Sequence, residues 1–599
     1  MPETVAANLA EVAAQRALDS MFCCIRERKS FRLEAGAGAG KTYSLVKALQ
    51  LIIDEQGAQL VRRHQKVACI TYTNVATDEV TKRTDGHPVI QASTIHSFCW
   101  DLCKSFQAVL RLEVMNIPQL VEKIDEVGEI GARRIAYELG HRRVTDTEIL
   151  LHHDDVLKVM VALMEHAKFR RILAAKFPVL FIDEYQDTDA AFAESLIRNF
   201  VEAMDGPLVG LFGDSWQKIY RTGAGLINHD NLQLIGKEAN FRSVSAVVDV
   251  LNRIRPDLPQ QVSHPTEVGS ARVYHSNEFI GQRQTGGHWG GDLPAEEAHR
   301  YLSALRETLT IAGWDFSPKK TKILMLTHNV LAAEQHYSQI LGVFQFNDSL
   351  LKKEDPYINF LADTVEPACD AFSSGKYGEM FSVIGRKVGS LSNLAEKQDW
   401  ARDMQRLVEL RAAGTIGDVI DLLKETRRPR LPEAVLKTER RLAEVTQEEI
   451  EASRTLTQIE RLRPLPYSEL IALANFINDH TPFSTKHGVK GAEFENVLVV
   501  LGRGWNQYNW NQFLEWFPNT YPCNKEESYV RNRNLFYVAC YDQRRTSHCF
   551  SPKNLRRVHC LRLRIVLAHR TFPLSPWYKY LAIPMAGGKE LSFVPSGTP

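Results

Sequence analysis

The sequence predicts an α/β protein in which parallel sheets flanked by helices are interrupted by helical insertions. Short apolar runs ending in polar or glycine-rich turns recur at KVACITYT (66–73), FPVLFIDE (177–184), PLVGLFGD (207–214), TKILMLTH (321–328) and ENVLVVLG (495–502). Each reads as a strand buried on both faces, the parallel α/β kind. Helical periodicity lies between several of them; after Thr42, for example, Leu45, Leu49 and Ile52 or Ile53 fall on one face. Two stretches break the rhythm: residues 101–170, which read as mostly helical, and residues 350–470, charged and helical in ARDMQRLVELRAAG and LKTERRLAEVTQEEIEASRTL. Both read as insertions, and for the second a pair of solvated surface helices is an equal reading. At 599 residues the chain exceeds what one core supports, so several domains are expected.

Composition excludes several classes. With 44% hydrophobic and 24% charged residues and no run of eighteen apolar positions, no segment should span a membrane. Met1 to Ala10 carries Glu3 and no Lys or Arg, unlike a basic-then-apolar leader, so a cytoplasmic protein is expected. Ten cysteines without a CxxC pair argue against a disulfide framework, a ribbon-type zinc site or an iron–sulfur cluster. Cys549, His559 and Cys560 fit no common ligand spacing. Net charge is +1, so nucleic-acid binding would have to come from local patches. One such patch runs from Gln543 to Lys589, which holds no acidic residue but has Arg544, Arg545, Lys553, Arg556, Arg557, Arg562, Arg564 and Arg570.

The run Ala35-Gly36-Ala37-Gly38-Ala39-Gly40-Lys41-Thr42 has P-loop spacing, apart from Ala in place of the first Gly. Residues without bulky side chains let successive backbone N–H groups curl around phosphate oxygens, and the helix that follows turns its positive end there. Lys41 would reach the β and γ phosphates of ATP, and Thr42 would offer its hydroxyl to Mg²⁺. In LFIDEYQDTD, Asp183 and Glu184 follow a buried strand and emerge at its C-terminal end, where ligands of such sheets sit. One carboxylate, Asp183, can hold Mg²⁺ while Glu184 polarises the attacking water. Together with Lys41 they imply NTP hydrolysis.

AGAGAGKT, TYTNVATDEV, STIHSFC, DEYQDT, GDSWQKIY, NFRS and STKHGVKGAEF stand in the motif order of the UvrD/Rep/PcrA group of superfamily 1 DNA helicases, which the chain resembles from about residue 15 to 540. The resemblance implies two RecA-like domains with ATP between them and single-stranded DNA across the top. The implied division is 1–100, 101–165 and 166–250 for domain 1A and its insertion 1B, then 251–350, 351–470 and 471–570 for domain 2A and its insertion 2B, with 571–599 as a tail. It also implies that Gln15 reads adenine, Phe241 stacks on it, Arg242 reaches across the cleft to the γ-phosphate, Gln217 senses that phosphate and Glu493 contacts the ribose. Tyr72, Thr73, Asn74, His96, Tyr220 and His487 fall at positions resembling DNA contacts, where aromatic faces suit sequence-blind movement. Thr222 departs from the pattern, since relatives often carry Trp there.

The expected activity is an ATP-dependent DNA translocase or helicase moving 3′ to 5′ on single-stranded or partly duplex DNA, in repair or anti-phage defence. The lack of a nuclease segment resembles the UvrD-like subunit of Gabija-type systems, which implies a separate nuclease partner. The alternative is a DNA-sensing ATPase subunit that signals without processive unwinding. A departure bears on this choice: family members read YVALTRA, whose Arg is a second finger on the γ-phosphate, whereas this chain reads FYVACYDQRR with Asp542 at that place. Three accounts stand open. Arg544 or Arg545 takes over after a local shift; the protein binds ATP but hydrolyses it poorly; or the reading frame changes near Cys540, where the apolar strand expected after this motif is missing from the text.

Overall fold

The computed structural model describes residues 8–128, 130–138, 142–219, 222–344, 350–351, 353–385, 394–485, 493–502, 508–541, 543–551 and 581–582. The first helix, α1 (Leu9–Arg26), leads into β1 (Phe31–Ala35), a glycine-rich loop and α2 (Lys41–Arg62). Two further strands, β2 (Val67–Thr71) and β3 (Ile90–Thr94), precede an insertion that carries β4 (Arg134–Tyr137), β5 (Arg143–Val144) and β6 (Glu148–Leu151). The chain then returns as β7 (Val179–Asp183), β8 (Leu208–Gly213) and β9 (Gln233–Lys237).

These form a six-stranded sheet of order β3-β2-β7-β8-β1-β9 with every neighbouring pair parallel. The strands β1, β2, β7 and β8 are buried at every position; β2, β7 and β8 are mainly apolar, as helices covering both faces require, whereas β1 also buries Arg32 and Glu34. Phe31, Phe181 and Phe212 meet edge to face on one side, with ring centres 5.3 to 6.0 Å apart. On that side α2 buries Leu45, Leu49 and Ile52. The other side is covered by the insertion, whose Phe98, Leu110, Ile135, Ile149 and Met160 share a core with Ile70, Leu180 and Ile182. Residues 101–170 are mostly helical, as read, but they also carry β4, β5 and β6. In RRIAYELGHRRV charged residues break up the apolar ones, so no apolar run marks the strands; β6 pairs parallel with β4 and antiparallel with β5.

A short parallel pair, β10 (Ala239–Asn240) and β11 (Gln261–Val262), leads to the second sheet. Its strands are β12 (Ser270–His275), β13 (Thr321–Met325), β14 (Phe483–Thr485), β15 (Phe494–Val500), β16 (Gln543–Ser551) and β17 (Leu581–Ala582). Their order is β14-β13-β15-β16-β12-β17, again all parallel. Between β13 and β14 the helices up to Ile477 enclose a separate apolar core around Trp400, Met404, Leu407, Ile420, Tyr467 and Leu470.

The strand β16 corrects the expectation that none follows the FYVAC motif. QRRTSHCFS has no apolar run, yet its backbone is laddered on one side to β15 and on the other to β12, with Cys549 opposite both Val499 and Val273. A central strand can be polar in text when its ladder and a few buried side chains, here His548 and Cys549, hold it.

The two sheets are joined through helices Ser245–Ile254 and Glu526–Tyr541, whose Val247, Leu251, Leu535 and Phe536 share a core with Val499 of β15 and Ala37 of the glycine-rich loop. Among the described residues, no helix is long and apolar enough to cross a membrane.

Candidate active site

Because all strands of the first sheet run the same way, the residues following β1, β2, β7 and β8 gather along one rim. The loop after β1 turns sharply because Gly38 and Gly40 take φ of 67° and 75°, the left-handed region. Close approach also demands small residues: a Cβ on Gly36 would lie 2.7 Å from Gln260 Nε2, and one on Gly38 would lie 2.7 Å from Arg242 Cβ. Asn240 and Gln260 brace the loop by donating to the Ala37 carbonyl at 2.9 and 2.8 Å. The Asn240 side-chain oxygen in turn accepts from the Arg242 and Ser243 amides.

Lys41 and Thr42 open α2. The Lys41 ammonium is paired with Glu184 and lies 4.0 Å from Asp183 Oδ1. Burial pulls the Lys41 pKa down, but Glu184 and Asp183 outweigh it and hold it above the ordinary value. Burial pushes Asp183 up to about 6, against the pull of Lys41. Such a buried acid favours a cation beside it, which is the donor chemistry Mg²⁺ takes. Glu184 stands in a left-handed conformation at φ 51°, a strain that aims it off the end of β7. Gln186 fixes it, donating to Glu184 Oε2 at 2.5 Å while accepting from the Asp214 amide at 3.1 Å.

Gln217 follows β8 and donates to Asp214 Oδ2 at 2.9 Å. Asp214 also receives Arg255 Nη1 at 2.5 Å, and Arg255 Nη2 reaches Glu34 Oε1 of β1 at 2.8 Å. The Glu34 carboxylate further accepts from the Ser215 amide and hydroxyl and from the Tyr185 hydroxyl. Tyr537, from the helix that packs on the second sheet, accepts the Ala37 amide at 3.3 Å and donates to Asp214 at 3.4 Å. Sequence reasoning missed Glu34, Gln186, Asp214, Arg255, Gln260 and Tyr537 as parts of one site. Glu34 carried a signal, an acid alternating with apolar residues in β1 beside Arg32; the others are joined only by the fold.

Arg242 Nε meets Glu493 Oε1 at 3.0 Å, so a residue that follows the first sheet grips one that precedes β15 of the second. Arg544 of β16 engages the same Glu493 carboxylate. These two guanidinium groups hold Glu493 below the usual carboxylate pKa against the upward push of burial. Phe241 is 40% exposed and its amide donates to the Gly38 carbonyl at 2.9 Å, leaving an aromatic face beside the loop. Gln15 is not brought to the loop. It sits on the solvent face of α1 and donates to Asp19 at 2.8 Å.

Further along the rim, Tyr72 follows β2 and is 47% exposed. Thr73 caps the helix Asn74–Arg83 through the Ala76 amide, and Asn74 begins it. His96 lies just past β3, its ring centre 4.7 Å from that of His153 in the insertion, and burial lowers its pKa. Tyr220, His487 and Asp542 lie outside the described residues, as does most of the basic stretch after Ser551, and the Arg545 side chain is not described.

Residues 22–223 match the family described as an AAA domain. The chain is also 23% identical to the Gabija protein GajB of Bacillus cereus (strain HuB5-5), over 88% of this chain and 93% of that protein.

Proposed function

We propose that the chain, whose residues 22–223 match an AAA domain, is a helicase-like P-loop ATPase that hydrolyses ATP to move along single-stranded or partly duplex DNA, 3′ to 5′, in anti-phage defence beside a nuclease partner. The observation that carries the proposal is the pairing of two lobes at one rim. Lys41, Asp183 and Glu184 stand on the first sheet, and Arg242, beside the same loop, is gripped by Glu493, which lies beside the second. The GajB likeness supports the defence setting and the nuclease partner.

The pairing of Lys41 with Glu184 defines the resting chemistry. Binding of ATP brings an anion to the loop amides and draws Lys41 to the β and γ phosphates. Glu184 then loses its cation and is free, held by Gln186, to accept a proton from an attacking water. Thr42 and Asp183 would hold Mg²⁺, which neutralises charge on the phosphates and orients them. Gln217 reports the γ-phosphate to Asp214, and Arg242 supplies the charge that stabilises the transition state once it leaves Glu493. A catalytic cation that must swing from one lobe's carboxylate to the nucleotide makes hydrolysis depend on closure. Closure shifts the rim that carries Tyr72, Thr73, Asn74 and His96 against the second lobe.

ATP turnover measured with and without single-stranded DNA, together with strand displacement on a 3′-tailed duplex, tests the proposal. Stimulated turnover with displacement is expected; no turnover in either condition overturns it. The sensor reading is favoured by Asp542, which stands where the resemblance puts a second arginine finger. DNA-stimulated turnover without displacement would select it.

A further inference from the structure

Lys237 ends β9, opposite Ala35 in the ladder with β1. Its side chain runs beneath the glycine-rich loop, where Nζ donates to the Gly40 carbonyl at 3.0 Å and to Ser44 Oγ at 2.7 Å. It also lies 5.6 Å from the centre of the Tyr43 ring. The residue is 1% exposed. All of these contacts are to neutral groups, in contrast to the other buried cations of this region. Lys41 has Glu184 and Asp183, and Arg255 has Glu34 and Asp214. Burial alone pulls the Lys237 pKa down to about 8. A buried ammonium without a carboxylate is a standing penalty on the nucleotide-free fold. Its position removes the puzzle, because the last residue of the phosphate cradle is the one it holds.

We propose that Lys237 is a positioning residue of the nucleotide site, fixing the end of the loop through Gly40 and Ser44 while its charge is balanced by the phosphates of a bound nucleoside triphosphate. The assignment rests on the reading of the loop as an ATP site. Lys237 touches no phosphate itself. It sets the Gly40 turn, on which the direction of the Lys41 and Thr42 amides depends, and adds positive potential from below. The charge is useful only when the anion is present, so its removal should separate stability from binding.

Lys237→Met and Lys237→Gln remove the charge from a side chain of similar length, and Lys237→Arg retains it. Affinity for ATP with Mg²⁺ and for AMP, whose single phosphate does not extend to the loop, is measured by calorimetry, and the ligand-free melting temperature is recorded. Both neutral variants are expected to melt at or above the wild-type temperature and to bind ATP about tenfold more weakly, as a charge acting through a partly screened interior would give. Their affinity for AMP should not change, and Lys237→Arg should stay within about threefold for ATP on the same reasoning. A neutral variant that binds ATP as tightly as wild type, or that loses ATP and AMP equally, overturns the assignment. If the wild-type chain itself binds no ATP, the nucleotide reading fails and Lys237 goes with it.

Discussion

The carboxylates of Asp183 and Glu184 are adjacent in sequence but differently placed. Asp183 ends a buried strand with 5% of its side chain exposed, whereas Glu184 is turned outward by its left-handed backbone and is 27% exposed. That difference suits the roles proposed for them, at metal and at water respectively, and it makes two substitutions informative. Lys41→Ala should abolish ATP turnover, since the cation for both the carboxylates and the phosphates is gone. Glu184→Gln should lower turnover by roughly 10²- to 10⁴-fold, the usual range for a lost general base, while ATP still binds. Filter binding beside a phosphate-release assay reads both, and a Glu184→Gln chain that turns over normally would move the base elsewhere. Lys41, Asp183 and Glu184 were legible because their spacing follows a strand and a loop within a few residues. Arg255, Gln260, Tyr537 and Lys237 were not, because each meets the loop, or for Arg255 Glu34 of the strand before it, from more than a hundred residues away along the chain, and nothing local in their text marks them.

Strands were legible where burial on both faces made them apolar, as in β2, β7, β8, β13 and β15, and illegible where a ladder holds polar text, as in β9, β12 and β16. The last is the most consequential, because β16 lies between β15 and β12 near the middle of the second sheet. A chain stopped after Tyr541 should therefore lose the sheet and appear in the insoluble fraction, whereas a dispensable segment would leave it soluble. His548 gives the same strand a pH dependence. Its Nε2 lies 3.1 Å from Ser270 Oγ, its ring packs 4.9 Å from Trp314, and burial, helped by Arg272, lowers its pKa to about 3. A histidine kept neutral in the fold but free to protonate when unfolded, near 6.5, stabilises the fold fully above that pH. The contribution is then lost by up to roughly 1.4 kcal/mol per pH unit as pH falls toward 3. Denaturant melts between pH 7 and 4 should show this slope, and His548→Phe should flatten it; equal slopes in both chains would remove His548 as its source.

At the scale of the whole molecule, one buried network joins the lobes. Arg255 is 3% exposed and lies between Glu34 and Asp214 of the first sheet; its guanidinium also stands 5.3 Å from the Trp216 ring and 5.8 Å from the Tyr537 ring, and Arg533 covers Trp216 at 3.6 Å. Asp214 is therefore shared by Gln217, which would sense the γ-phosphate, and Tyr537, which belongs to the helix against the second sheet. Removing the cation leaves two buried carboxylates facing each other, so Arg255→Met should destabilise the fold by about 3–5 kcal/mol, read as a lower denaturation midpoint. Tyr537→Phe asks a finer question. It deletes the hydroxyl that links Ala37 to Asp214 but leaves the ring in the shared core, so stability should fall by only about 1 kcal/mol. If nucleotide state passes between lobes through this contact, basal turnover should stay near wild type while its stimulation by single-stranded DNA falls. Full stimulation in Tyr537→Phe would assign the coupling to the Arg242–Glu493 bridge instead, and Glu493→Gln would then be the variant in which stimulation is lost.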